Sequence, residues 1–215
     1  MSRAKITGVY GITMSSPGIL RQAECALAGG VRVLQYREKT LPFEQRVEQA
    51  MSLRSMCHQY SALFLINDDV ELALAVEADG VHLGHSDGSY TVARRRLGDR
   101  IMGISCYNSL ERAVEAQANG ADYVAFGRFF PSQTKPEAVQ ADIGLIRRAK
   151  SVLKIPVVAI GGITPKNAAT LINEGVDAVA AIHGLFGFGD AEENARAYTA
   201  VFSSPVMVQD SKLAL

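Results

Sequence analysis

One pattern constrains the fold of this chain more than any other, a lead-in that recurs before short apolar runs. Gly30-Val31-Arg32-Val33, Ala78-Asp79-Gly80-Val81, Ala121-Asp122-Tyr123-Val124 and Val176-Asp177-Ala178-Val179 resemble one another. Three of them follow a helical pattern that ends near glycine, at Gly29, Gly120 and Gly175. Glycine adopts the left-handed conformation at a helix C-terminus with least strain. Val33 and Val179 are 146 residues apart. Six units in that interval span about 24 residues each, enough for a strand, a loop and a helix.

The runs between these points support that count. Apolar stretches occur at 9–14, 31–36, 62–66, 80–83, 101–106, 123–129, 156–160 and 178–182. They are short, rich in Val and Ile, and mostly do not alternate with polar residues, as expected of strands covered on both faces. Helical patterns lie between them, at 43–60, 109–119 and 141–152 among others. Asn108 with Glu111 matches a capping box, and Thr164-Pro165 places a cap before a proline in the first helical position. The expected fold is therefore α/β, a single (β/α)8 TIM barrel with a parallel eight-stranded sheet. An open doubly wound sheet is disfavoured because no GxGxxG opens a helix. The barrel is expected over 1–202, with a flexible tail at 203–215 that shows no periodicity.

Composition narrows the function classes. With 22 basic and 22 acidic residues the chain is neutral overall, which argues against a general binder of nucleic acid or anionic membrane. Asp68, Asp79 and Arg128 interrupt the best candidates for a membrane span. No apolar segment follows Met1-Ser2-Arg3-Ala4-Lys5 to complete a signal peptide. Cys25, Cys57 and Cys106 have no CxxC spacing, so neither structural zinc nor a disulfide framework is expected, and the cytoplasm is the simpler setting.

A TIM barrel builds its active site from the loops after its strands, and polar residues gather there. Strand 2 ends in Gln35-Tyr36-Arg37-Glu38-Lys39, and strand 3 in Asn67-Asp68-Asp69. Strand 4 leads to His85-Ser86-Asp87 and strand 5 contains Ser105. Strand 6 leads to Ser132-Gln133-Thr134-Lys135, and strand 7 ends in Gly161-Gly162. Arg37, Lys39 and Lys135, with hydroxyls from Ser105, Ser132 and Thr134, suit a polyphosphate. Asp68 and Asp87 sit on adjacent strand ends and are candidate ligands for Mg2+, which takes few carboxylates and keeps water and substrate oxygens.

Simpler readings stand beside these. Asp68 with Glu71 also matches a capping box, the favoured reading on spacing alone. Arg37-Glu38-Lys39 would also make a solvated charged loop. Gly161-Gly162 could merely turn the chain, or cradle a phosphate with backbone amides. His82 lies in an apolar strand and reads as a satisfied core histidine. Cys106 has no base beside it that would make it a nucleophile.

The segments QYREK at 35–39, INDD at 66–69, GVHLG at 80–84, GISCYN at 103–108, FGRFFPSQTK at 126–135 and AIGGI at 159–163 resemble the thiamine phosphate synthase family, in order and spacing, over about 9–186. The resemblance implies a transferase that joins a pyrimidine diphosphate to a thiazole phosphate and releases diphosphate. It implies that Gln35 bonds the pyrimidine and that Arg37 and Lys39 hold its diphosphate. Tyr36, Glu38 and Asn67 would belong to the same substrate site. Asp68 and Asp87 would bind Mg2+, and Ser105 would contact the diphosphate. Ser132, Gln133 and Thr134 would face the thiazole substrate, with Lys135 near the leaving group. Gly162, Ile182 and His183 would close around the thiazole phosphate, although the family usually has serine at the position of His183. Catalysis would rest on Lys135, Ser105 and Arg37, by dissociative substitution without a protein nucleophile. The partners implied are small molecules. Two alternatives are the related thiazole tautomerase, which needs a base near the end of strand 5, and a non-catalytic barrel that binds a phosphate ligand.

Overall fold

The computed structural model describes residues 6–84, 87–132 and 139–203. Along them run β1 (Gly8–Ile12), α1 (Ile19–Ala28), β2 (Val33–Tyr36), α2 (Phe43–Gln59), β3 (Leu63–Asn67) and α3 (Val70–Ala75). Then come β4 (Gly80–Leu83), α4 (Tyr90–Leu97), β5 (Ile101–Tyr107), α5 (Leu110–Ala118), β6 (Tyr123–Phe126) and α6 (Gly144–Val152). The chain finishes with β7 (Val157–Ile160), α7 (Pro165–Asn173), β8 (Ala178–Ala181), α8 (His183–Phe186) and α9 (Ala191–Ser203). The strands pair in parallel in sequence order and β8 returns to β1, so the sheet closes on itself. This is the (β/α)8 barrel expected from the repeat, and each apolar run coincides with a strand to within a few residues. Of the expected tail at 203–215, Ser203 is instead the last residue of α9, and 204–215 lie outside the described residues.

Strand residues alternate between two apolar regions. Tyr10, Val33, Leu65, Tyr123, Val158 and Ala180 fill the barrel interior. Val9, Leu34, Phe64, Val124, Val157 and Val179 pack outward against helix residues such as Ala23, Leu53 and Leu171. Both faces are buried, which is why the runs do not alternate with polar residues. The interior is tightest at Gly103, where an added Cβ would run into the ring of Tyr123.

The recurring lead-in has a structural cause. Asp79 donates its backbone N–H to the Phe64 carbonyl at 3.0 Å and accepts the Phe64 N–H on Oδ2 at 2.7 Å. Asp122 does the same with Met102, at 2.8 and 2.8 Å, and Asp177 with Val157, at 2.9 and 2.7 Å. Each aspartate thus ties the start of its own strand to the start of the strand before it. A side chain from an earlier helix meets each carboxylate: His58 at 3.2 Å, Arg94 at 2.8 Å and Lys150 at 2.6 Å. Arg32, at the matching place before β2, keeps the backbone half, with its N–H on Val9 O at 3.0 Å.

Local helix signals were offset by one residue in three places. The cap of α3 is Asp69, whose Oδ1 accepts the Leu72 N–H at 2.9 Å. Asp68, the expected cap, instead has φ +65° and turns away from the helix. Likewise α5 is capped by Ser109 rather than Asn108, following Tyr107 at φ +55°. At the end of α1 the left-handed residue is Gly30, at φ +105°, not Gly29, whereas Gly120 and Gly175 are left-handed as expected.

The aspartate clamps predict a stability order. The Asp122 side chain is 8% exposed, against 28% for Asp79 and 26% for Asp177. Asp122→Ala should cost about 3 kcal/mol, since it strands the Met102 N–H and removes the carboxylate from Arg94, which keeps only the Gly120 and Arg100 carbonyls among the described residues. Asp79→Ala and Asp177→Ala should cost less, and urea unfolding of the three variants measures the order.

Candidate active site

The expected polar residues meet at the C-terminal mouth of the barrel. A cavity of about 360 Å3 is lined there by Gln35, Arg37, Asn67, Ser105, Ser132, Gly162, Ile182 and His183, together with apolar walls from Ile12, Ala125, Ile160 and Ala180. A more open cavity of about 580 Å3 adjoins it, lined by Glu38, Lys39, Asp68 and Asp87. Asn67 borders both. Gln133, Thr134 and Lys135 lie outside the described residues.

Strand parity sorts the end of β2. Gln35, 2% exposed, faces inward and donates from Nε2 to the Tyr10 hydroxyl at 2.6 Å. Tyr36 faces the opposite way. Its ring is buried in the helical shell and its hydroxyl donates to Gln49 Oε1 of α2 at 2.9 Å. Tyr36, expected in the substrate site, therefore lines neither of the two cavities. Arg37 is held at the mouth by its backbone N–H on Thr13 Oγ1, at 2.9 Å. Glu38 is occupied with its own loop, accepting from Thr40 N at 2.7 Å and Thr40 Oγ1 at 2.6 Å. Burial alone would raise its carboxyl, but hydrogen bonds from Thr40, Ser15 and Leu41 outweigh this and hold it down at about 2.

The loop after β3 separates two adjacent aspartates by role. Asp69 caps α3 and pairs with Arg46 at 2.8 Å. The left-handed turn at Asp68 aims its carboxylate instead toward Lys39, at 3.3 Å, and toward Asp87. Burial raises the Asp68 carboxyl above its ordinary value, and the neighbouring Asp87 carboxyl raises it further against the pull of Lys39. Asp87 is oriented by the Gly84 N–H, which donates to Oδ2 at 2.6 Å. Two carboxylates forced together in this way fit a divalent cation, which would relieve the repulsion. Among the described residues no group of three or more His, Cys, Asp or Glu could hold a metal. Magnesium needs fewer protein ligands when water and substrate phosphates complete its shell.

Across the mouth, β5 bulges between Ser105 and Tyr107. Ser105 Oγ lies 2.9 Å from His82 Nε2. Gly161 and Gly162 have φ +102° and +64°, and a Cβ at either would collide with backbone of the 128–131 segment. The chain can pass here, lining the cavity, only as glycine. Among the described residues His183 Nδ1 has no hydrogen-bond partner although the atom is buried.

Several lining residues were not singled out from sequence as site residues: His82, Tyr107, Arg128, Thr164 and Phe188. Arg128 follows the end of β6 much as Arg37 follows β2, a signal that strand-end counting could have used. His82 is a satisfied histidine, as its apolar strand suggested, but it also forms part of the cavity wall. Cys57 and Cys106 are fully buried, and burial pushes both thiols up to about 12, so neither is a ready nucleophile.

Comparison with known proteins agrees with this geometry. A family model described as thiamine monophosphate synthase matches residues 9–185. A thiamine-phosphate synthase of Nitrosospira multiformis is 49% identical over 204 residues, covering 93% of this chain and 87% of the relative. One from Alcanivorax borkumensis is 48% identical over 208 residues, covering 93% and 96%. The solved thiamine phosphate pyrophosphorylase of Pyrococcus furiosus superposes with a TM-score of 0.85 at 36% identity, over 92% of this chain and 96% of that one. By the family match over most of its length and by these relatives, the chain belongs to the thiamine monophosphate synthase family of transferases.

Proposed function

We propose that this enzyme joins 4-amino-5-hydroxymethyl-2-methylpyrimidine diphosphate to a thiazole phosphate, giving thiamine phosphate and diphosphate with magnesium. The observation that carries the reading is the paired cavity. One chamber combines apolar walls with Gln35, Ser105 and a glycine cradle, and the other combines Lys39 with the Asp68–Asp87 pair. Such an arrangement suits two ring substrates beside a departing polyphosphate. The catalytic unit is the barrel, whose last helix α9 ends at Ser203. The partners are small molecules, and no described helix is long and apolar enough to cross a membrane. A cytoplasmic setting would keep the free thiols of Cys25, Cys57 and Cys106 reduced.

In this reading Gln35 holds the pyrimidine ring by its amide. Arg37, Lys39 and Ser105 bind the diphosphate, and Lys135 stands near the bridging oxygen. Magnesium held by Asp68 and Asp87 supplies charge neutralisation to the leaving group. The methylene carbon–oxygen bond breaks with its electron pair going to diphosphate, and the aminopyrimidine ring delocalises the positive charge left behind. The thiazole nitrogen donates its lone pair to form the new carbon–nitrogen bond. No proton transfer and no protein nucleophile are required. Ser132, Gln133 and Thr134 position the thiazole, and Gly162, Ile182 and His183 receive its phosphate. The walls formed by Ile12, Ala125 and Ile160 keep water from the cation.

Purified protein with both substrates and magnesium should release thiamine phosphate and diphosphate. Isomerisation of a thiazole phosphate alone would identify a tautomerase, and binding without turnover a ligand-binding barrel.

Asp68→Asn and Asp87→Asn should each lower activity at limiting magnesium by at least about tenfold. Neither should lose stability in the metal-free state. Because the folded state raises the Asp68 pKa, its stability falls as pH rises through that titration, and Asn removes this penalty. Magnesium should therefore raise the wild-type melting temperature more at neutral than at mildly acidic pH, and thermal scans read the difference.

Lys135→Ala should slow the chemical step more than it weakens ground-state binding of the pyrimidine substrate. Single-turnover kinetics separates the two, and lost affinity at an unchanged chemical rate would make Lys135 a binding residue only.

A further inference from the structure

Beneath the cavity, a continuous file of hydrogen bonds joins two lining residues that belong to different strands. Gln35 Nε2 meets Tyr10 OH at 2.6 Å, and Tyr10 OH meets Tyr123 OH at 2.8 Å. Tyr123 OH meets His82 Nδ1 at 2.8 Å, and His82 Nε2 meets Ser105 Oγ at 2.9 Å. The two phenols are fully buried, and the His82 ring stacks on Tyr123 with centroids 5.5 Å apart. Burial drives both phenols well above their ordinary pKa, so each keeps one proton to place.

Those protons can be placed in order. The Gln35 amide nitrogen only donates, so the Tyr10 oxygen accepts. The Tyr10 proton then goes to the Tyr123 oxygen, its remaining partner among the described residues. The Tyr123 proton goes to His82 Nδ1. A neutral ring that accepts at Nδ1 carries its hydrogen on Nε2 and donates it to Ser105 Oγ. The serine's own proton is then free to point into the cavity. A doubly protonated ring would leave the Tyr10 proton without an acceptor in this file. Full reversal also uses every proton, but it needs the Gln35 amide turned over and would present serine lone pairs to the cavity. Lone pairs would repel an anionic ligand.

We propose that His82 is a positioning residue, held as the neutral Nε2–H tautomer by Tyr10 and Tyr123, and that it fixes Ser105 as a hydrogen-bond donor to the diphosphate. The same polarity turns the Gln35 carbonyl oxygen toward the substrate chamber, where it accepts from the exocyclic amine of the pyrimidine. One file therefore sets both the ring-reading and the phosphate-binding group. The inference rests on the reading that Ser105 faces diphosphate, while the tautomer itself does not depend on it.

Long-range proton–nitrogen NMR of the unliganded protein reads the tautomer, with the His82 signals identified by their loss in His82→Gln. Nitrogen resonances with the hydrogen on Nε2 are expected, and a hydrogen on Nδ1, or on both, overturns the proposal. Kinetics supplies the second arm. Tyr123→Phe should raise KM for the pyrimidine diphosphate about tenfold in the otherwise wild-type protein. In a Ser105→Ala background the same change should cost less, leaving only the part that reaches Gln35 through Tyr10. Equal factors in both backgrounds would mean that Tyr123 does not act through Ser105, against the proposal. His82→Gln, whose Nε2 can still donate to Ser105, should retain more pyrimidine affinity than His82→Asn, and the reverse order also overturns it. An active wild type with the wrong tautomer would leave the synthase reading standing without this file. An inactive wild type with the expected tautomer would remove the synthase reading and, with it, the role given to Ser105.

Discussion

The interaction on which this barrel most depends is the reciprocal hydrogen-bond pair made by a strand-leading aspartate. Closing a parallel sheet leaves backbone groups at the N-terminal ends of its strands that must find partners where the helices turn back. Asp79, Asp122 and Asp177 satisfy such groups on β3, β5 and β7, and each carboxylate meets a basic side chain from an earlier helix. Strand, neighbouring strand and overlying helix are thereby fixed at one point. The opposite ends of the strands are then held by the sheet itself and are left for chemistry, the separation expected of this architecture.

Strand parity does the next part of the work. Because successive side chains alternate, Gln35 enters the barrel and Tyr36 the helical shell, although the two are neighbours in one motif. The same parity brings His82 inward beside Ser105. Gly103 gives up its side chain so that the Tyr123 ring can occupy the interior and connect β1 to β4. The floor of the site is thus polar and fully hydrogen-bonded along this file, while its upper walls are apolar.

Much of this could be read from the chain. Val- and Ile-rich runs located the strands because both of their faces are buried, and the described polar residues just past the runs reached the mouth because every strand points the same way. What escaped depended on conformation or on distance in sequence. The caps fell one residue late, at Asp69 and Ser109, because a preceding left-handed residue leaves no periodic trace. That shift matters, since it releases Asp68 from the helix and turns it to Asp87. The outward turn of the Tyr36 side chain was visible in principle from alternation along β2. The contact between Tyr10 and Tyr123 spans 113 residues and is invisible to any local pattern.

Two carboxylates at the same mouth are shifted in opposite directions. Glu38 is held at about 2 by its loop, so it stabilises that loop at every pH above its unfolded value and releases it only as the pH falls through about 2. Asp68 takes up its proton at higher pH than an ordinary aspartate, since burial and Asp87 both favour the neutral form. As the pH falls, Asp68 would therefore lose its charge before the adjoining loop loosens. Acidification would act on this mouth in two stages. The first is reversible and local, a loss of charge without a loss of shape.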